Sequence, residues 1–295
     1  MPPQGVAAAI LRRAKVYAAV ESTLITRLAE MNLSYVTMLS IAGSDPIGGA
    51  GIQADIKTCC SAGVYAMTVI TAVTAQNTCG VKGFKAIDPH LLESQLRAVL
   101  DDVSPDAVKI GMVPDADSVR IISGIIKEYG LTNVVVDPVM VATSGDALTE
   151  SDTSKALKED LFPLATLVTP NLPEVDALVP GPGNADRLLS MAEAVLIKGG
   201  HGEDDTLTDT LYRRGFAPLT FSHRKIDTPN THGTGCSLSS MIACRLALGD
   251  TLEKAVEEAI DWLHKAILKG AEFRFGHGHG PVCHNIEDTR MKVII

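Results

Sequence analysis

From Tyr35 onward the chain alternates short runs rich in β-branched residues with longer stretches of helical periodicity, and this rhythm restricts the fold more than any other feature. It is the pattern of a parallel sheet flanked by helices. Strands are expected at Tyr35–Ala42, Ala66–Thr74, Ala107–Ile110, Asn133–Asp137, Leu167–Thr169 and Ala194–Lys198. Helices fit Ala50–Ala62, Pro89–Asp102, Asp115–Tyr129, Thr153–Leu161 and Pro173–Leu178. The rhythm then changes: Thr208–Arg214 and Leu219–Ile226 flank Gly215-Phe-Ala-Pro and read as a β-hairpin. Two long helical patterns follow, Thr234–Leu248 and Leu252–Phe273, with Asp250 or Thr251 able to cap the second. The expectation is an α/β domain with a mostly parallel central sheet and a late β-hairpin. No repeat or low-complexity linker interrupts 37–288, which leaves 1–36 as an amino-terminal extension and 289–295 as a tail.

A chain of 295 residues, 46% of them hydrophobic, can bury a large single core. With 26 Lys+Arg against 35 Asp+Glu and no basic cluster interleaved with aromatics, a nucleic-acid partner is not expected. The cysteines at 59, 60, 79, 236, 244 and 283 form no C-x-x-C pair and no zinc spacing, so all except Cys236 read simply as reduced thiols of a cytoplasmic protein. No run of eighteen apolar residues is present, and no membrane partner is expected. The basic, acid-poor start weakly resembles a transit peptide without its serine enrichment. It reads equally as an amphipathic helix or as sequence upstream of a start at Met31 or Met38, and no function is assigned to it.

Two glycine-rich segments stand out. The first, Ser44-Asp-Pro-Ile-Gly-Gly-Ala-Gly-Ile-Gln-Ala-Asp55, contains Gly49-x-Gly51-x-x-Ala54, a permitted spelling of the dinucleotide-binding turn. That turn requires a carboxylate about twenty residues on to hold the ribose hydroxyls. After Asp55 the next acidic residue is Asp88, and the second strand ends in Gln76-Asn77-Thr78, so the dinucleotide reading loses its most informative component and falls well behind. The P-loop pattern is also missing. The second segment, Asn230-Thr-His-Gly-Thr-Gly-Cys-Ser237, opens a long helix, and its small residues and helix end suit it to hold an anion. A cysteine in such a first turn is expected to have a lowered pKa, which makes Cys236 a candidate thiolate and proton acceptor.

Three further features converge on the same edge of the sheet. Asn171-Leu-Pro-Glu174 follows one strand, Asp137 ends another, and Lys198-Gly-Gly-His201 ends a third, all at carboxyl ends, where α/β folds bind ligands. Asp137 and Glu174 supply the hard oxygen ligands that suit Mg²⁺ with its waters and phosphates. Anion pocket, metal ligands and lysine together describe phosphoryl transfer. Taken singly, each residue is equally a cap, a turn residue or a solvated charge.

The segments "SIAGSDPIGGAGIQADIKT", "VITAVTAQNT", "KIGM", "VVVDPVMVATSGDAL", "TPNLPE", "IKGGH" and "NTHGTGCS" resemble, in order, those of the hydroxymethylpyrimidine/phosphomethylpyrimidine kinases of thiamine biosynthesis, a branch of the ribokinase-like superfamily. The resemblance covers roughly 37–288. It implies a three-layer α/β/α domain, ATP and Mg²⁺ as cofactors, and a homodimer. It also implies a pyrimidine pocket from Gly43, Ala50, Gln76, Met112 and Val139, with Cys236 as the base acting on the substrate hydroxymethyl group. Gly233, Thr234 and Gly235 would stabilise the transferred phosphoryl group through their N–H groups. Lys198, Asn171, Thr231 and His232 would lie by the nucleotide, with His232 equally a packing or hydrogen-bonding residue. Asp137 and Glu174 would hold the metal, and Asp55 would cap or orient the first loop.

The chain departs from the family pattern in three places. Ile47 stands where a small polar residue is usual, Thr143 where lysine is common, and the stretch before Lys198 is about a dozen residues short, with a helix and a strand pressed into 184–198. The rival readings are a pyridoxal kinase, whose substrate also presents a hydroxymethyl on a heteroaromatic ring, a non-catalytic vitamer-binding protein, and an NAD-dependent oxidoreductase.

Overall fold

The computed structural model describes residues 34–140, 151–199 and 205–286; the amino-terminal extension to 33, Thr143, His201 and the tail lie outside them. The strands are β1 (Thr37–Ser44), β2 (Tyr65–Asn77), β3 (Gly80–Ala86), β4 (Ala107–Ile110), β5 (Val134–Val136), β6 (Leu167–Val168), β7 (Ala194–Ile197), β8 (Thr206–Arg213) and β9 (Leu219–Arg224). They form one sheet in the order β3-β2-β1-β4-β5-β6-β7-β8-β9. From β2 to β7 every neighbouring pair is parallel. Both ends are antiparallel: β3 on β2 at one, β8 and β9 after β7 at the other.

The late hairpin was expected; the β2–β3 hairpin was not. Its second strand, Gly80-Val-Lys-Gly-Phe-Lys-Ala86, carries two glycines and two lysines, a composition that reads as loop. On an edge, lysines are instead what keeps unpaired strand groups from recruiting another chain.

The helices are α1 (Gly51–Ala62), α2 (Pro89–Leu100), α3 (Ala116–Tyr129), α4 (Ser151–Ala156), α5 (Leu172–Leu178), α6 (Asn184–Leu189), α7 (Thr234–Ala247) and α8 (Leu252–Gly270). Side chains alternate across a strand, and the sheet divides its apolar residues accordingly. Leu39, Ile41, Val108, Ile110, Val134, Val136, Val168 and Val195 join α2, α3 and α5 in one buried cluster. Met38, Ala107, Val135, Leu167, Ala194 and Leu196 join α1, α7 and α8 in another. The expected three layers are therefore present. Between α4 and β6 the chain makes a π turn at Leu157–Leu161 and a short 3₁₀ turn at Phe162–Leu164. The compressed stretch before Lys198 resolves as a stunted helix, the six-residue α6, followed by the four-residue β7.

Ile122 on α3 has no exposed surface, whereas Leu91 on α2 is 53% exposed. Ile122→Ala should lower the unfolding free energy by about 2–5 kcal/mol. Leu91→Ala should change it by less than about 0.5 kcal/mol. Urea midpoints of the two variants against wild type check this, and equal midpoints would contradict the layer assignment.

Candidate active site

β1 and β4 are neighbours in the sheet, but the chain leaves β1 toward β2 and leaves β4 toward β5. The two connections diverge and open a crevice at the carboxyl ends of the strands, the usual ligand position of such sheets. Around it come the first glycine segment after β1, Gly111-Met112 after β4, Asp137 after β5, Asn171 after β6, Lys198 after β7 and the second glycine segment before α7.

Asp45 shapes the first segment. Its carboxylate accepts the N–H groups of Ile47, Gly49 and Ala50 at 3.0, 2.9 and 2.8 Å, and the His232 ring nitrogen Nε2 lies 2.9 Å from Oδ2. Burial alone would push the carboxyl up; His232 and the N–H groups outweigh it and hold Asp45 below its ordinary value. Gly233, at φ +81°, lies so close to Gly49 that a Cβ there would overlap the Gly49 carbonyl. The two glycine segments thus touch main chain to main chain, with His232 and Asp45 as the clamp. His232 is a hydrogen-bonding residue in this arrangement, and Thr231 precedes it with its N–H on the Pro229 carbonyl.

α7 begins without a side-chain cap and with no acidic residue in its first turn. Of the three N–H groups expected to face phosphate, that of Thr234 is donated to the Thr231 carbonyl at 3.3 Å, which leaves the role to its neighbours. Cys236 lies in this turn, and the N–H of Gly51, first residue of α1, favours its thiolate. The expectation of a lowered thiol pKa is overturned: burial pushes Cys236 up to about 11, with Lys109 and the Gly51 N–H opposing and Asp55 and Asp137 adding to the rise. The helix end is present, yet desolvation of the half-buried thiol outweighs it.

Asp55 does not organise the loop; that is the work of Asp45. Asp55 is fully buried, with Lys109 Nζ 2.9 Å from both its oxygens and the hydroxyls of Ser40 and Ser240 donating to it at 2.6 and 2.7 Å. A lysine in the apolar strand "AVKI" was the available sign of this pair.

The predicted metal ligands and lysine do come together. Lys198 Nζ is 2.8 Å from Asp137 Oδ1, which also accepts the Thr169 hydroxyl at 3.2 Å. Asn171 and Glu174 form a capping box on α5: Asn171 Oδ1 accepts the Glu174 N–H at 2.9 Å, and Glu174 Oε2 accepts that of Asn171 at 2.8 Å. Burial pushes Glu174 up to about 7, with Lys198 opposing and Asp137 adding to the shift. Two buried carboxylates beside one lysine are short of positive charge, which fits a divalent cation. Among the described residues no cluster of three or more ligating side chains exists, so such an ion would rely on phosphate oxygens and water for its other ligands.

Met112 packs with Ala72 and Val139 in a small cluster apart from both main cores, and a Cβ on Gly43 would lie 3.1 Å from the Met112 sulfur. Gln76 is half-buried near the end of β2, and Ala50 is the residue before α1.

The sequence model of the phosphomethylpyrimidine kinases matches residues 45–283. The chain belongs to this family. A hydroxymethylpyrimidine/phosphomethylpyrimidine kinase of Rhizobium meliloti is 46% identical over 257 residues, which cover 83% of this chain and 96% of that one. Its counterpart in Escherichia coli is 41% identical over 84% of this chain and 97% of its own. Among solved structures, an ADP complex of Bacillus subtilis pyridoxal kinase aligns with a TM-score of 0.76 at 34% identity, over 86% of this chain and 98% of that one. The Staphylococcus aureus pyridoxal kinase with AMP-PCP and pyridoxal gives 0.79 at 28% identity, over 86% and 95%. Within the family frame, the residues that sequence reasoning missed are Asp45, Lys109, Ser40 and Ser240. Ser40, Asp45 and Lys109 lie inside the quoted segments, which gave no sign of their individual roles, and Ser240 lies outside them.

Asp45→Ala should lower stability at neutral pH by about 1–3 kcal/mol through loss of its buried hydrogen bonds. Because the folded carboxyl is held low, its contribution is complete above the unfolded value of about 3.9 and is lost as pH falls through the lower folded value. Denaturation curves of wild type and Asp45→Ala should therefore converge below about pH 4, and a constant gap would remove the carboxylate from the clamp.

Proposed function

We infer that this chain is an ATP-dependent kinase that phosphorylates 4-amino-5-hydroxymethyl-2-methylpyrimidine and then its monophosphate to the diphosphate, in thiamine biosynthesis. The observation that carries the reading is the family match over residues 45–283, with relatives named for these two activities. The gathering of Cys236, Lys198, Asp137 and Glu174 round one crevice agrees with it.

In this reading the pyrimidine lies against Gly43, Ala50, Met112 and Val139, and the Gln76 amide exchanges hydrogen bonds with its aminopyrimidine edge. The substrate oxygen attacks the γ-phosphorus in line, the bond from that phosphorus to the β,γ-bridging oxygen breaks to release ADP, and Cys236 takes the hydroxyl proton. The uncapped start of α7, chiefly Gly233 and Gly235, faces the charge that grows on the transferred group. Lys198, whose ammonium Asp137 and Glu174 hold above its ordinary value despite burial, neutralises phosphate charge. Asn171 sets Glu174 through the capping box, while Thr231 and His232 order the loop beside the nucleotide. Asp137 and Glu174 would hold Mg²⁺, which when bound would neutralise part of the phosphate charge. Positioning and charge stabilisation provide most of the acceleration. The kinase domain is taken as 37–288, acting as a cytosolic homodimer.

A second reading, phosphorylation of a B6 vitamer, is favoured by the match to pyridoxal kinases among solved structures. Transfer from ATP to hydroxymethylpyrimidine, its monophosphate and pyridoxal, each with and without Mg²⁺, separates the two. The expected result is Mg²⁺-dependent transfer to both pyrimidines, whereas transfer to pyridoxal alone would replace the pathway. Cys236→Ala should lower kcat by about 10²–10⁴-fold, and full activity in that variant would remove the base assignment.

A further inference from the structure

Thr78 stands at the tip of the β2–β3 hairpin, where a turn on a sheet edge is ordinarily open to water, yet only 7% of it is exposed. It is covered by the chain that leaves α8, Arg274-Phe-Gly-His-Gly-His-Gly280. The Thr78 hydroxyl accepts the N–H groups of His277 and Gly278, both at 3.2 Å, and its carbonyl accepts that of His279 at 2.8 Å. Only glycine permits so close an approach: a Cβ on Gly276 would overlap the Thr78 hydroxyl, and one on Gly278 the Thr78 carbonyl. The other end of the strap lies on the second glycine segment. There the Gly280 carbonyl accepts the His232 N–H at 3.0 Å, and a Cβ on Gly280 would overlap the Asn230 side chain. Asn230 is itself buried, and its Nδ2 donates to the carbonyls of Gly270 and Phe273 at 2.8 and 2.7 Å. Pro281 then meets the first glycine segment, where a Cβ on Gly49 would lie 3.0 Å from the Pro281 Cβ. The strap thus runs from the end of β2 to the place where the two glycine segments touch.

β2 is already held by β1 on one side and β3 on the other, so the strap is not what forms the strand. What it adds is position. Gln76 is two residues before Thr78, just where the β2–β3 register slips between Ala75 and Gln76 and the ladder is locally disrupted. We propose that Thr78 is a positioning residue for substrate recognition: by holding the strap it fixes the last residues of β2, and with them the Gln76 amide, relative to Gly49 and Ala50. A misplacement of about 1 Å is enough to spoil such a contact, and supporting hydrogen bonds are what prevent it. This inference rests on the reading of Gln76 as the amide that meets the aminopyrimidine edge, and the test below reads the two claims separately.

The measurement is steady-state transfer from ATP to hydroxymethylpyrimidine by wild type, Thr78→Val, Thr78→Ser, Gln76→Ala and the double variant Gln76→Ala/Thr78→Val, with thermal melts to establish folding. Valine keeps the shape of threonine and removes the acceptor, whereas serine keeps the acceptor. Thr78→Val should raise KM for the pyrimidine about fivefold, the effect of one lost hydrogen bond, and leave kcat and KM for ATP within about twofold. Thr78→Ser should keep the wild-type KM. On the Gln76→Ala background the valine should add nothing, because one residue acts through the other. Gly278→Ala displaces the strap with Thr78 intact and should give the same selective rise, which keeps the test available if Thr78→Val does not fold. An unchanged pyrimidine KM in a folded Thr78→Val or Gly278→Ala overturns the proposal. So does an equal loss with serine, or a valine effect as large without Gln76 as with it. A wild-type KM in Gln76→Ala would instead remove the amide from the pocket and the proposal with it, a result read without touching Thr78.

Discussion

The main-chain contact between Gly49 and Gly233 is the constraint on which the site depends. It joins the turn after the first strand to the turn before the seventh helix, and it tolerates no side chain at Gly233. One consequence is electrostatic. α2, α3 and α8 begin with the side-chain caps Asp88, Asp115 and Thr251, and the latter two carry an acid in the first turn. α1 and α7 have neither. The contact therefore brings two helix starts into one crevice, of which that of α1 has Asp45 beside it and that of α7 has no acid of its own, an arrangement that favours an anion at α7.

The charges around that crevice alternate in sign at close range: Asp55 with Lys109, Asp137 with Lys198, Asp45 with His232. Each carboxylate holds a cation or a loop in place, and none of the pairs is well exposed. The low-dielectric setting makes each interaction strong, and it also makes the thiolate of Cys236 and the carboxylate of Glu174 costly. An enzyme that transfers a phosphoryl group brings its own compensation, because nucleotide and metal arrive together with opposite charges. Burial thus prepares the site for its ligands at the expense of the empty state.

The layers and the parallel centre of the sheet were legible because strand periodicity and helix length are set by local residues, as at Val134–Val136 or Ala116–Tyr129. The residues gathered round the crevice were legible because carboxyl ends of parallel strands share one edge whatever the side chains do. β3 was not, since its pairing is decided by β2 across a tight turn and not by its own composition. Nor was the state of Cys236, because a helix end is a local feature of the sequence whereas burial is a property of everything packed around it. The division of labour between Asp45 and Asp55 was hidden for the same reason. Both are aspartates flanking one loop, and only the register of α1 against β1 and β4 decides which faces the loop and which faces a lysine.

The proposed pyrimidine pocket stands apart from what holds the protein together. Ala72, Met112 and Val139 form a cluster separate from both main cores, while β4 and β5, which precede Met112 and Val139, supply residues to those cores on either side. A change of ring in the substrate can then be met by changes at a few loop residues without disturbing either layer. That separation accounts physically for one backbone serving kinases named for a pyrimidine and kinases named for pyridoxal. In the proposed reaction the glycine contact, Lys198 and the helix ends would act on the phosphoryl group common to both substrates, and only the wall lined by Gln76, Met112 and Val139 would have to differ between them.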